Sequence, residues 1–324
     1  MAIKRKVQRS EESSERILFE VFEDFILEKE AQNLAPKSIK TYVDTFKKFV
    51  NFCGFDSDTI TGDIEERLFY KWIEVMKNDG LSVSSINHYL RDMRSFCYWM
   101  MDDTREYISK FKIQMLTSQE EPPKCFTDDE VEKLLEKPRA RESFPTWRTW
   151  AIVNWVLATG NRAQTICDVQ IGDIDFKRGE IELRHTKNKK AQIIPLSNSL
   201  AGILKEYMRM WRKGAKNDAY LFCNIGELKL TTNALRQSFE KYCKDRECTH
   251  TSIHGLRHNF AKLWVQNNGN MFVLQKILGH STLDMTRRYV KLFGDDLKED
   301  FDKYNPLDVM KRKAKRTQTV SKIF

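Results

Sequence analysis

The chain has no apolar run approaching the ~18 residues of a membrane span, and Ala2 to Arg16 is charged where a secretory leader would be apolar. Those two absences set the expectation of a cytoplasmic protein with no membrane partner. Glycine and proline are scarce: thirteen and seven in 324 residues, about half of the ~12% usual for the pair, which counts against a turn-rich all-β fold. Cysteine lacks any paired framework. The seven residues, at 53, 97, 125, 167, 223, 243 and 248, are an odd number scattered through apolar patterns, as expected of reduced, buried thiols without disulfides. There is no internal repeat.

What is present points to a soluble, helix-dominated chain. At ~150 residues per domain, 324 residues make about two domains, each long enough to bury a core. Lys and Arg outnumber Asp and Glu by 55 to 46, a net charge of +9, and 31% of residues are charged. The excess gathers at the ends: Lys4, Arg5, Lys6 and Arg9 at the start, and Lys311, Arg312, Lys313, Lys315, Arg316 and Lys322 after Met310. Such tails suit a polyanion, but equally a solvated end or an address label, so charge does not decide function.

Hydrophobic periodicity gives the organisation. Ile17, Leu18, Val21, Phe22, Phe25 and Ile26 recur at helical spacing within 14–30. After Ala35-Pro36, a good helix start, Ile39, Tyr42, Val43, Phe46, Phe49 and Val50 repeat the pattern up to Gly54. Segments 65–77 and 83–100 add two more, so residues 13–116 are expected to form one helical domain behind a basic tail, 1–12. Residues 117–124 are polar, aperiodic and contain Pro122-Pro123, which marks a linker. Thr127 and Glu130 then form a capping box that opens a second domain, 125–309, ahead of the basic tail 310–324. Within it a Trp-rich helical stretch runs from Trp147 to Ala158. Short β-favouring runs at 174–176, 180–185 and 191–196 predict a small antiparallel sheet. Helical patterns resume at 199–211, 232–244 and 253–265, and twice more up to Val290.

Three local patterns could carry chemistry. His254 and Arg257, three apart on a helix, would project side by side, although such a pair alone is commonly a satisfied surface pair. His280 and Tyr289 are nine apart and would point ~180° away from each other on one continuous helix. Gly279 is a natural helix stop, and Ser281 with Asp284 a fresh cap, so a turn between them would let both face one cleft. The third pattern is Ala158-Thr159-Gly160-Asn161-Arg162, where a helix stops, followed by His185-Thr186-Lys187-Asn188-Lys189-Lys190 on a hairpin. A lysine on a turn is ordinarily solvent-exposed, and none of the three is persuasive singly.

In order, Arg162, Lys187, His254-x-x-Arg257, Gly279-His280 and Tyr289 resemble the tyrosine recombinase (phage integrase) family, and the resemblance covers most of the chain. It implies a mainly α fold with a small antiparallel β-sheet. A helical core-binding domain and an α+β catalytic domain would form a C-shaped clamp on double-stranded DNA core sites. It further implies that Tyr289 attacks a phosphodiester to leave a 3′-phosphotyrosyl bond and a free 5′-hydroxyl. Arg162 and Arg257 would grip the non-bridging oxygens, Lys187 would protonate the leaving oxygen, and His254 and His280 would bond the phosphate and support proton transfer. That set makes chemical sense. Two planar guanidiniums suit a phosphodiester and its transition state, a phenol of pKa ~10 must lose its proton, and the leaving hydroxyl must gain one. Phosphotyrosine retains the bond energy, so religation needs no ATP. The arginines supply the positive charge, so neither a metal nor another cofactor is expected. The resemblance also implies assembly into a tetramer on paired sites, with accessory directionality or DNA-bending proteins as further partners.

The sequence departs from the family pattern at Asn161, where an apolar residue is common, and at Thr165, where an acid often supports the site. His258 matches a common family position and is expected to be structural. The apolar part of 301–309 would dock on a neighbouring protomer, as the segment beyond the tyrosine often does in relatives. Three other readings are open. Cys243, Cys248, His250 and His254 could ligate zinc, although the spacing fits no usual finger and would consume His254. A type IB topoisomerase uses a similar residue set, and a DNA-binding protein could keep the fold without chemistry.

Overall fold

The computed structural model describes residues 15–117, 123–184, 191–280 and 282–293. Lys187, Ser281, the 301–309 segment and both basic tails lie outside the described residues. The chain divides into two compact units, Met1–Glu120 and Glu121–Phe324.

The first unit is helical. Its helices are α1 (Leu18–Ala31), α2 (Pro36–Cys53), α3 (Glu66–Asn78) and α4 (Val83–Met100). Pro36 supplies a preset φ at the first turn of α2, and Gly54, at φ 70°, closes it in the left-handed region. Ser82 caps α4 by accepting from the Ser85 N–H. The apolar stripes meet in an aromatic core: Phe22 stacks on Phe46 with centroids 3.7 Å apart, and Phe96 sets its edge 5.1 Å from Phe22.

The second unit begins at α5 (Asp128–Leu135), where the Thr127–Glu130 capping box forms as expected. The other Glu130 oxygen accepts from the Thr249 N–H and hydroxyl, at 2.6 and 2.7 Å. Burial works to raise the pKa of this carboxylate, but the hydrogen bonds from Thr127 and Thr249 outweigh it and hold it at about 2. The Trp-rich α6 (Phe144–Thr159) is apolar on nearly every side, so it can sit only at the centre. It is packed by α8 (Asn198–Trp211), α9 (Thr232–Lys244) and α10 (Ile253–Gln266).

Short α7 (Ala163–Asp168) leads to a three-stranded antiparallel sheet in the order β1 (Ile174–Asp175), β2 (Glu180–Leu183), β3 (Gln192–Pro195). Ile181 lies opposite both Ile174 and Ile194, and alternation puts Ile181 and Leu183 inward and Glu182 outward. The strands are shorter than the β-favouring runs; β2 stops at Leu183. The chain is thus mainly α with a small antiparallel sheet. Among the described residues, no helix is long and apolar enough to cross a membrane.

Two final helices, α11 (Met271–Leu278) and α12 (Asp284–Phe293), pack on α10 and on each other. They do not join the main core. Phe260, Ala261, Val265, Leu274, Leu278 and Tyr289 form a separate small cluster, whereas Ile253 and Leu256 belong to the large one. Helix α10 therefore straddles two cores, and His254, Arg257 and His258 lie on it along the seam between them.

Candidate active site

The site is assembled where α6 stops. Gly160 adopts φ 62°, and a Cβ there would meet Phe260 Cδ1 at 2.5 Å and Leu278 Cδ2 at 2.7 Å. Only glycine can make this turn and let α10 and α11 close over it. Arg162 follows at the N-cap of α7. Arg257 donates from Nη1 to the Gly160 carbonyl at 2.6 Å and from Nη2 to the Leu278 carbonyl at 3.0 Å. Arg162 Nη1 reaches the same Leu278 carbonyl at 3.4 Å. Both guanidiniums are thus oriented by backbone oxygens at two helix ends. Burial, then the neighbouring Arg162, draws the Arg257 pKa down to about 10, and burial lowers that of Arg162, so both remain cationic at neutral pH.

The expected turn after α11 is present: Gly279 ends the helix at φ 60° and α12 starts at Asp284. His280 sits in that turn, with Nε2 3.0 Å from Arg257 Nη2 and Nδ1 2.8 Å from Thr286 Oγ1. Since arginine can only donate, Nε2 must be the acceptor, and Nδ1–H therefore donates to Thr286. Burial, then Arg257 and Arg162, pushes the His280 pKa down to about 4, which keeps the ring in this neutral tautomer. His254 is lowered by the same forces, burial first and then Arg257, Arg162 and Arg236.

Arg162, His254, Arg257, His258, His280 and Tyr289 line one cleft of about 500 Å³ with Pro123 and Met285. Five of the six residues singled out in the sequence therefore converge; the sixth, Lys187, lies outside the described residues. Tyr289 is 6% exposed, and its hydroxyl is 2.7 Å from His258 Nδ1. His258, expected to be structural, thus touches the phenolic oxygen directly, and its ring meets that of His254 edge-on at 4.5 Å.

The departures at Asn161 and Thr165 have local explanations. Asn161 is buried and accepts from Trp155 Nε1 at 2.9 Å, a polar pair taking the place of an apolar contact. Thr165 is buried too, while Asp168 directs its carboxylate to Gln164 and Lys229. The backbone carbonyls of Gly160 and Leu278 orient Arg257 instead of an acid. Sequence reasoning missed Thr286, whose hydroxyl fixes His280, and Asn259, which is fully buried and holds both the N–H and the carbonyl of Phe126 at 2.8 Å. A polar residue inside the apolar run of α10 was a visible signal for Asn259; Thr286 offered none. Cys243 and Cys248 are buried in the main core, and His250 lies edge-on to Phe126. Among the described residues no group of three or more His, Cys, Asp or Glu is arranged to hold a metal ion.

Two backbone-braced cations, three imidazoles and a tyrosine hydroxyl line one cleft, a set suited to transfer at an anionic ester. The model of the phage integrase family matches residues 124–294, more than half of the chain. The chain belongs to that family and is an enzyme of its class, a tyrosine-type site-specific recombinase. It is 26% identical over 288 residues to tyrosine recombinase XerC of Thermodesulfovibrio yellowstonii, covering 83% of this chain and 90% of the relative. With tyrosine recombinase XerA of Pyrococcus furiosus it shares 25% over 296 residues, covering 89% and 95%. In fold it resembles the XerH site-specific recombinase bound to a palindromic difH substrate, with TM-score 0.67, 23% identity and coverage of 85% and 82%. It also resembles the Tn1549 transposon integrase in complex with transposon right end DNA, with TM-score 0.70, 18% identity and coverage of 89% and 99%.

Proposed function

We propose that the chain cleaves and rejoins duplex DNA at defined sites through a 3′-phosphotyrosyl bond at Tyr289, and that it integrates or excises a mobile element. The observation that supports this is the one cleft lined by Tyr289 and by two carbonyl-braced arginines, Arg162 and Arg257. A phosphodiester entering it would receive Arg162 and Arg257 on its non-bridging oxygens, where they offset the charge that grows in the transition state. His254 would add a hydrogen bond to the phosphate. His280, with both nitrogens engaged by Arg257 and Thr286, would act by steadying Arg257. Lys187 would protonate the departing 5′-oxygen, a role that rests on the family resemblance. We assign residues 13–116 to core binding and 125–309 to catalysis, joined by the linker 117–124, with the chain acting in the cytoplasm. Double-stranded core sites would be the partner, and assembly a tetramer on two paired duplexes, with accessory proteins setting direction.

The test mixes the purified protein and its Tyr289→Phe variant with DNA fragments spanning the ends of the region that encodes it. On denaturing gels a covalent adduct should form with the wild type alone, while both proteins bind DNA about equally, since only a hydroxyl is removed. Equal cleavage by both would sink the assignment of Tyr289. Joining of two defined duplexes supports integration or excision; relaxation of any plasmid regardless of sequence would point to a topoisomerase, and specific binding without an adduct to a protein that holds DNA uncut.

A further inference from the structure

We propose that His258 accepts the phenolic proton of Tyr289 during strand cleavage. This rests on the recombinase reading and adds to it a residue for which the family resemblance suggested only a structural part.

The argument begins with distance. Nδ1 of His258 and the Tyr289 oxygen are 2.7 Å apart, within the 2.6–3.2 Å or so over which a general base takes a proton. Elimination narrows the field further. Among the described residues lining the cleft there is no carboxylate, and the two arginines can only donate. His280 already uses Nε2 to accept from Arg257 and Nδ1–H to donate to Thr286. His254 lies one helical turn before His258, with its ring edge-on to the His258 ring rather than interposed before the phenol. Position is also enforced: the next residue, Asn259, is fully buried and clamps Phe126 through two hydrogen bonds, which fixes the α10 turn carrying His258.

In the step itself the Tyr289 O–H bond breaks, its proton passes to the lone pair on Nδ1, and the phenolic oxygen forms the bond to phosphorus. The bond from phosphorus to the 5′-oxygen breaks, and that oxygen receives a proton from Lys187 in the reading above. In religation the imidazolium returns its proton to the tyrosine oxygen. The groups surrounding this proton are His254 and Arg257 on the same helix, Arg162 at the start of α7, His280 in the turn before α12, and Tyr289 on α12.

The experiment compares wild type, His258→Ala, His258→Asn and Lys187→Ala in single-turnover adduct formation on two substrates. One is an ordinary phosphodiester, and in the other sulfur replaces the bridging 5′-oxygen. A thiolate leaves without a proton, so a defect on the leaving side is relieved by sulfur and a defect on the attacking side is not. Both His258 variants should slow by about 10²-fold or more on the ordinary substrate and stay slow on the sulfur one, while Lys187→Ala recovers. Asparagine keeps an accepting oxygen near the place of Nδ1 but cannot hold the proton, so it should not rescue. Matched DNA affinity and melting temperature establish that the variants are folded. Wild-type rates in His258→Asn would overturn proton acceptance, as would recovery of His258→Ala on sulfur. An adduct from the wild type with undiminished His258 variants sinks this proposal alone; no adduct from the wild type with any site sinks the recombinase reading and the proposal with it.

Discussion

Replacing Thr286 by valine keeps the shape of a fully buried side chain and removes one oxygen, so no cavity contributes to the result. That oxygen is the acceptor for His280 Nδ1–H at 2.8 Å. Two responses are open to the ring, and each has a cost. If the tautomer is kept, a buried N–H is left without an acceptor, at about 1–3 kcal/mol. If the proton moves to Nε2, that N–H faces the N–H groups of Arg257 Nη2, a donor against a donor, and the bond that steadies the arginine is lost. Either way about 1–3 kcal/mol disappears from the site, and at 1.36 kcal/mol per tenfold this slows adduct formation by roughly 5- to 150-fold. Urea unfolding of the full chain should show a matching loss, and Thr286→Ser, which restores the hydroxyl, should recover most of both. An unchanged urea midpoint together with an unchanged rate in the valine variant would refute the tautomer assignment, as would a serine variant as damaged as the valine one.

Gly160→Ala combines a left-handed backbone with a Cβ 2.5 Å from Phe260 Cδ1, so a loss of about 2–4 kcal/mol is expected, or ~5–15 °C in melting temperature for a unit of this size. A melting temperature within about 2 °C of wild type would contradict the close packing around this turn. Acid should destabilise the chain over a wide range. The unfolded chain protonates a histidine near pH 6.5 while folded His280 resists down to about 4, so its share of stability is full above about 6.5 and is lost towards 4. The Glu130 carboxylate, ordinarily near 4.5 and held at about 2, contributes stability that is complete above 4.5 and lost as pH falls through 2, up to about 3 kcal/mol. Circular dichroism of Glu130→Gln should show the lower part of that acid profile flattened, and an identical profile would count against the two Thr249 hydrogen bonds.

The helices and the capping box were legible because each leaves a local mark, a period or a cap at fixed spacing, and five of the six candidate side chains, each charged or titratable, line one cleft. The turn between His280 and Tyr289 was legible as well, from Gly279, which ends α11 in the left-handed region. What could not be read was the means by which the side chains are held. Arg257 is oriented by the carbonyls of Gly160 and Leu278, and every residue carries a carbonyl, so the sequence has no letter for that interaction. The partnership of His258 and Tyr289 depends on how α12 packs against α10 across 31 positions of sequence, which no spacing rule reaches. Asn161 departs from the family pattern, and the indole N–H of Trp155 that it accepts from lies six positions earlier with no motif to announce it.

Helix α10 anchors its first half in the large core and its second half in the small one, and that division has a thermodynamic meaning. Regions open locally at a free energy set largely by the apolar contacts they must break. The six-residue cluster around Tyr289 is shallow compared with the core beneath α6. Tyr289, proposed as the nucleophile, belongs to the shallow cluster, whereas Arg162 and Arg257 stand on helices that reach the large core. On warming, or under mild denaturant, the α11–α12 pair is expected to let go first, and with it go both Tyr289 and the Leu278 carbonyl that braces Arg162 and Arg257.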